Sequence, residues 1–278
     1  MNQAKVLNFF GLLLIMFGIS FAIPLFVAIF YGESLIRVFG LGMSILVLMG
    51  FLSWFFTKDN KQELSLSDGF VITVLFWIVL SVSGSIPFIL FGFGVVDSFF
   101  ESMSGITTTG ATVIAGLDDL PKSLLIYRQL LQWLGGMGLI VLAIAVMPLL
   151  GIGGGQLFKT QTPGPMSEQR LTPRITSTAR ALWSIYFVLT VLCIFAYRLA
   201  GMSYFDAVSH AFSTVSIGGF STHDLSIGFF DSLSIEIVCI TFMLLSAMSF
   251  AVHYSAIYRK QVLLSLIHIS EPTRLTRI

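Results

Sequence analysis

A membrane-spanning α-helix needs roughly 20 predominantly apolar residues, and this chain offers that length six times. The runs are residues 6–31, 36–56, 69–92, 124–150, 181–200 and 233–258. Charged residues make up only 10% of the 278, against about 25% in a soluble domain. There is too little polar material to cover a water-facing surface, and 27 Phe suit a protein whose outer solvent is lipid. A net charge of +1 excludes a nucleic-acid binder that works by neutralising phosphates. Disorder is excluded because disordered chains are polar and highly charged. Cys193 and Cys239 both lie within apolar runs and show no CxxC or Cys/His spacing. The first run exceeds the apolar core of a signal peptide, which is about 7–15 residues. It reads as a retained span, kinked at Pro24. The chain is an all-α membrane protein.

Two shorter segments are of a different kind. Residues 96–113 (VDSFFESMSGITTTGATV) and 204–221 (YFDAVSHAFSTVSIGGFS) each begin as an amphipathic stretch and then break into Thr, Ser and Gly. Neither is long or apolar enough to cross alone. Both fit a segment that enters the membrane, turns and leaves on the same side. With that topology one side holds Lys5, Lys58, Lys61, Lys159, Arg170, Arg174, Arg180, Arg259 and Lys260. The other holds Arg37, Lys122, Arg128 and Arg198, with the last fourteen residues set aside. By the positive-inside rule the first side, with the N-terminus, is cytoplasmic. The breaks then open outward among Asp97, Glu101, Asp118, Asp119, Asp206, Asp224 and Asp231.

The same order of span, short helix, break and span occurs twice, with Gly110 and Gly218 as pivots 108 residues apart. The expected organisation is an N-terminal hairpin over 1–66 and a first repeat over 67–150. A polar linker over 151–179, a second repeat over 180–260 and an end over 261–278 follow.

The candidate ion-binding residues are Thr107, Thr108, Thr109, Gly110 and Ala111 in the first break. In the second they are Val215, Ser216, Ile217, Gly218 and Gly219. Non-helical backbone at membrane depth leaves carbonyls unsatisfied and persists only against water, protein or a cation. A row of carbonyls facing one axis can replace a cation's hydration shell. Gly accepts positive φ and lets successive carbonyls point the same way. Each short helix also aims its negative C-terminal end at the break. The bland alternative is a turn that ends an interfacial helix and binds nothing; two copies in matching positions weigh against it.

The stretches SMSGITTTGATV, QWLGGMGLIVLAIAVMPLLGIGGGQLF, TPGP, TPRI and AFSTVSIGGFSTHD resemble the membrane subunit of Trk/Ktr-type potassium uptake systems, the TrkH/KtrB family. The resemblance covers about residues 1–260. It implies potassium uptake across a bacterial inner membrane, with potassium as substrate and no cofactor. It also implies a fold like a potassium-channel tetramer fused into one chain, a helix hairpin followed by four helix–pore loop–helix repeats. Thr108, Thr109 and Gly110 would line one quarter of a selectivity filter, and Ser216, Ile217 and Gly218 another. The loops lack the Tyr-Gly of potassium channels, carrying Ala111-Thr112 and Gly219-Phe220 instead, which implies looser discrimination. The family further implies a homodimer bound by a cytoplasmic nucleotide-binding regulatory subunit (TrkA/KtrA-like), with the linker as a contact.

Only two of four repeats are present, so the chain is expected to be an N-terminal half that conducts nothing alone unless two copies assemble. Residues 264–278 contain SLIHISEPTR, which resembles a translated sequencing adapter, and are expected to be non-native. His210, His223 and His253 lack metal-ligand spacing. Gly135, Gly136 and Gly138 are read as helix-packing residues rather than a hinge. Arg128 and Arg198 are expected to reach headgroups from the outer ends of their spans. An intramembrane enzyme is the rival class, but the chain contains no HExxH or GxSxG motif. A non-conducting membrane scaffold is the third.

Overall fold

The computed structural model describes residues 3–58, 66–146, 175–248 and 253. Among them every regular element is helical: α1 (Gln3–Ser20), α2 (Ala22–Tyr31), α3 (Ile36–Thr57), α4 (Leu66–Phe91) and α5 (Val95–Ile106) come first. After them come α6 (Lys122–Val146), α7 (Ile175–Leu199), α8 (Tyr204–Val215) and α9 (Leu233–Ala247), with short 3₁₀ turns at Leu117–Asp119 and Ser226–Phe230. Most of the linker, from 151 to 174, and the end from 261 to 278 lie outside the described residues, as does most of 249–258. Among the described residues four helical stretches are long and apolar enough to cross a membrane: Gln3–Tyr31 (α1 with α2), Ile36–Thr57, Ser67–Phe91 and Leu182–Leu199. Helix α6 is as long, 25 residues, but carries Arg128, Gln129 and Gln132 in its first half. Helix α7 begins at Ile175, inside the stretch expected to be linker, and α9 stops at Ala247 with Met248 extended.

The first span divides where Pro24 requires. A proline ring clashes with the carbonyl four residues earlier, which here belongs to Ser20, the last residue of α1. Phe21 forms the joint and its ring enters the core, edge-on to Tyr127 at 5.2 Å and near Phe39 and Phe17. Helix α2 ends at Gly32 (φ +68°), where Glu33 N–H reaches back to the Ala28 carbonyl at 2.8 Å. The Glu33 carboxylate then caps α6, accepting from the backbone N–H groups of Lys122 (2.7 Å) and Ser123 (3.1 Å) and from the Ser123 hydroxyl. A carboxylate at a helix N-terminus meets both orphan donors and the positive end of the dipole.

Helices α1 and α3 cross at glycines. A Cβ on Gly50 would stand 2.6 Å from the Gly11 carbonyl oxygen, and one on Gly11 would stand 2.7 Å from Trp54 N. Small residues let membrane helices approach backbone to backbone. Gly50→Ala is therefore expected to force the pair apart and destabilise by about 1–3 kcal/mol; detergent melting curves that superimpose on the wild type would refute the close crossing.

Two cores flank α6. One joins α1–α6 around Phe21, Phe39, Phe88 and Tyr127, whose hydroxyl donates to the Gly84 carbonyl at 2.7 Å. The other gathers Met137, Tyr186, Cys193, Tyr197, Ala211 and Val215. Gly135, Gly136 and Gly138 sit where α6 touches its neighbours: a Cβ on Gly135 would overlap the Ile106 carbonyl oxygen, and one on Gly136 would stand 2.8 Å from the Tyr186 hydroxyl. The glycines pack helices, as read from sequence. Large apolar side chains cover the outside, with Phe30, Phe56 and Leu199 exposed at 72%, 79% and 88%. Exposure of so many large apolar side chains fits a lipid-facing wall.

Candidate functional site

Helices α5 and α8 have 12 residues each, about 18 Å at 1.5 Å per residue. The hydrocarbon core is about 30 Å thick, so neither crosses alone. Each buries a polar face: Ser98, Glu101, Ser102 and Ser104 in α5, and Ser209, His210, Ser213 and Thr214 in α8. Ser203 starts α8 by accepting from Asp206 N–H at 3.1 Å.

Both helices end the same way. In the first, Thr107 N–H bonds Met103 O (2.9 Å), Thr108 N–H bonds Gly105 O (3.0 Å) and Thr109 N–H bonds Ser104 O (2.9 Å). In the second, Ser216 N–H bonds Phe212 O (3.3 Å), Ile217 N–H bonds Thr214 O (3.1 Å) and Gly218 N–H bonds Ser213 O (2.8 Å). Positive φ falls on Thr108 (+54°) and Gly110 (+77°), and again on Ile217 (+56°) and Gly219 (+83°). Gly92 (+119°) and Gly201 (+110°), which follow α4 and α7, keep the same offset. The local geometry thus sets the correspondence at 109 residues, one more than the Gly110–Gly218 spacing suggests. Gly110 matches Gly219, and Gly218 matches Thr109. The sequence misleads here because Ile217 adopts a conformation usually left to Gly; a β-branched residue there is a genuine outlier. Such strain, about 1–3 kcal/mol, gathers at functional sites.

The fold brings the two loops together. A Cβ on Gly110 would overlap the Gly218 carbonyl oxygen, and one on Gly218 would overlap the Gln132 amide. Thr109, Ala111, Ile217 and Gly219 are exposed, whereas Gly218 is buried and Thr107, Thr108 and Gly110 are half-buried. The Thr107 hydroxyl donates to Met103 O (2.7 Å) and lies 2.8 Å from the Thr109 hydroxyl. The Ser216 hydroxyl donates to Phe212 O (2.8 Å). The Val215 side chain turns away into the second core.

Behind the loops lies a charge that the sequence places wrongly. Arg128, expected at the headgroups, is fully buried. It donates from Nε to Glu101 Oε1 (2.7 Å), from one terminal nitrogen to Ser221 O (3.1 Å) and from the other to the Thr112 hydroxyl (2.9 Å). Its guanidinium also stacks on the Phe220 ring at 4.5 Å. Glu101, expected in the acidic mouth, is fully buried, paired with Arg128 and bonded by the Thr112 hydroxyl at 2.9 Å. A lone charge at that depth is expensive, so it turns inward to a partner. His210 takes the corresponding place in α8, 109 residues after Glu101, and lies 2.9 Å from the Ser221 hydroxyl. Arg198 is exposed at the end of α7, donating to Met202 O at 3.2 Å.

The outer connections are cross-braced. Asp224 accepts from Gly116 N–H (3.1 Å) and Leu117 N–H (3.0 Å), while Asp118 accepts from the His223 imidazole. That hydrogen bond holds the Asp118 carboxyl below the usual carboxylate range, assisted by Asp224 N–H. His223 stacks on Phe229 with centroids 3.5 Å apart. Asp206 accepts from the Thr222 hydroxyl at 2.9 Å. Asp97, Asp119 and Asp231 are exposed. Arg128 and Gln132, at i and i+4 of one helix, were not read as site residues; polar groups one turn apart within an apolar run were the available signal.

Apolar helices around two short, strained, facing helix ends define an α-helical membrane protein with paired broken-helix loops. The sequence model of TrkH, described as Cation transport protein, matches residues 35–271. The chain belongs to the TrkH family. It is 50% identical over 259 residues to the Trk system potassium uptake protein TrkH of Halomonas elongata, covering 92% of this chain and 54% of that protein. It is 46% identical over 255 residues to the Trk system potassium uptake protein TrkG of Escherichia coli K12, covering 91% and 53%. The crystal structure of the potassium transporter TrkH from Vibrio parahaemolyticus superimposes with a TM-score of 0.81 at 46% identity, covering 94% of this chain and 53% of that one. The chain spans about half the length of the curated relatives it matches.

Proposed function

We propose that this chain forms part of a potassium-uptake pathway across a bacterial inner membrane. Residues 107–111 and 215–219 line two quarters of a carbonyl filter. The observation that carries the reading is the meeting of two loops with matched dihedrals, the Gly218 carbonyl against the Cα of Gly110. The strained φ angles of Thr108 and Ile217 support it, since strain persists where the surroundings over-determine it. So do the C-terminal ends of α5 and α8, whose partial negative charge favours a cation.

In this reading, residues 1–66 form a hairpin outside the pore. Residues 67–150 and 180–260 are the first two of four helix–pore loop–helix units. The N-terminus is cytoplasmic and the loops open to the periplasm. Potassium is the substrate, and the chain uses no other cofactor and catalyses no chemical reaction. An ion sheds water at a mouth bearing Asp118, Asp206 and Asp224, passes the loop carbonyls and leaves to the cytoplasm. The complete protein is a homodimer regulated by a cytoplasmic nucleotide-binding subunit, and the present chain is its N-terminal half.

Reconstituting the complete protein in proteoliposomes tests this. Potassium uptake is expected from it and none from the 278-residue chain alone. A complete protein that inserts correctly and moves no potassium would end the proposal.

A further inference from the structure

We infer that Gln132 is a positioning residue that holds the second loop in register and thereby sets its ion discrimination. The inference deepens the filter reading of residues 215–219 and rests on it. Gln132 is fully buried on α6, in the first unit, yet its bond goes to the second: Oε1 accepts Phe220 N–H at 3.0 Å. Its amide fills the space where a Gly218 Cβ would stand. Nε2 has no hydrogen-bond partner and lies 3.8 Å from the position of a Gly110 Cβ, between the two loops.

One helical turn earlier, Arg128 grips the next carbonyl, that of Ser221, at 3.1 Å. Residues four apart share a helix face, so α6 offers an acceptor and then a donor to consecutive residues of the other unit's loop. Each residue has only two soft backbone dihedrals. Pinning Phe220 and Ser221 therefore restricts where the carbonyls of residues 217–219 point. Coordination by carbonyls depends on their number and placement, which makes a buried amide outside the ion path a determinant of selectivity. Gly218 itself has no room for a side chain, because the Gln132 amide occupies that space.

The test measures the potassium-to-sodium flux ratio of the complete protein in proteoliposomes for Gln132→Asn, Gln132→Met, Gln132→Glu and Gly218→Ser. Asn is one methylene too short to reach Phe220 N–H, and Met has the right length but no oxygen. Both are expected to lower the ratio at least about fivefold, the loss of one buried hydrogen-bond partner. Glu keeps an acceptor oxygen and is expected to retain most of the ratio. Asn remains informative should Met fail to insert. A wild-type ratio in the Asn variant, alongside a shifted ratio in Gly218→Ser, overturns the role of Gln132 and leaves the filter intact. Glu behaving as badly as Asn overturns the acceptor role. No shift in Gly218→Ser removes the filter reading of residues 215–219, and this inference with it.

Discussion

Replacing Arg128 with Met is expected to destabilise the protein by about 3–5 kcal/mol, the cost of breaking a buried ion pair by removing one partner. An exposed pair would be worth about 0–1 kcal/mol. Arg128 and Glu101 both have side chains at 0% exposure and meet at 2.7 Å. Without the guanidinium, Glu101 keeps only the Thr112 hydroxyl and the more distant Val113 N–H, at 3.3 Å. Arg128→Lys is expected to recover little, because one ammonium cannot reproduce a planar fork that serves Glu101, Ser221 and Thr112 at once. Adding Glu101→Gln to Arg128→Met is expected to restore a substantial part, since the stranded charge is then gone. Unfolding in detergent of the wild type, Arg128→Met, Glu101→Gln and the double variant gives the full cycle. A single Met variant as stable as the wild type would show that the pair does not bind the two loops.

Serine at Gly110 or Gly218 is expected to change potassium-to-sodium preference in the complete protein about tenfold or more. At Gly110 two penalties coincide: φ is +77°, and a Cβ would overlap the Gly218 carbonyl oxygen. Left-handed strain of about 1–3 kcal/mol corresponds to roughly 5–150-fold in an equilibrium, and the overlap adds displacement of the carbonyl itself. Gly219 separates the two effects. Its φ is +83° but nothing lies within 4 Å of a Cβ there, so Gly219→Ala bears strain alone and is expected to change selectivity less. Flux ratios in proteoliposomes decide it. Both serine variants keeping the parental preference would detach these loops from ion selection.

Several features of the fold were legible because they depend on local chemistry. The first span divides at the residue whose carbonyl Pro24 would strike, and α5 and α8 stop where Thr, Ser and Gly replace the amphipathic pattern. Gly135 and Gly136 pack against Ile106 and Tyr186, as small residues within an apolar run suggested. The register between the loops was off by one. Two adjacent glycines at 218 and 219 offered two alignments to Gly110, and only the backbone dihedrals distinguish them. Arg128 and Glu101 show the larger gap. A sequence states that a charge lies near the end of an apolar run, but not whether that end faces lipid or a partner 27 residues away.

The amino-acid order set most helix limits, because apolar length, proline geometry and amphipathic spacing act over a few neighbouring residues, although α7 starts earlier and α9 stops sooner than their apolar runs. Which loop faces which, and which buried groups hold them, was decided by packing. Gln132 touches Phe220 across 88 positions and Arg128 touches Ser221 across 93. Contacts at such separation exist only after α6 has settled between the two cores, where a buried donor or acceptor can use only the partners that the folded chain supplies.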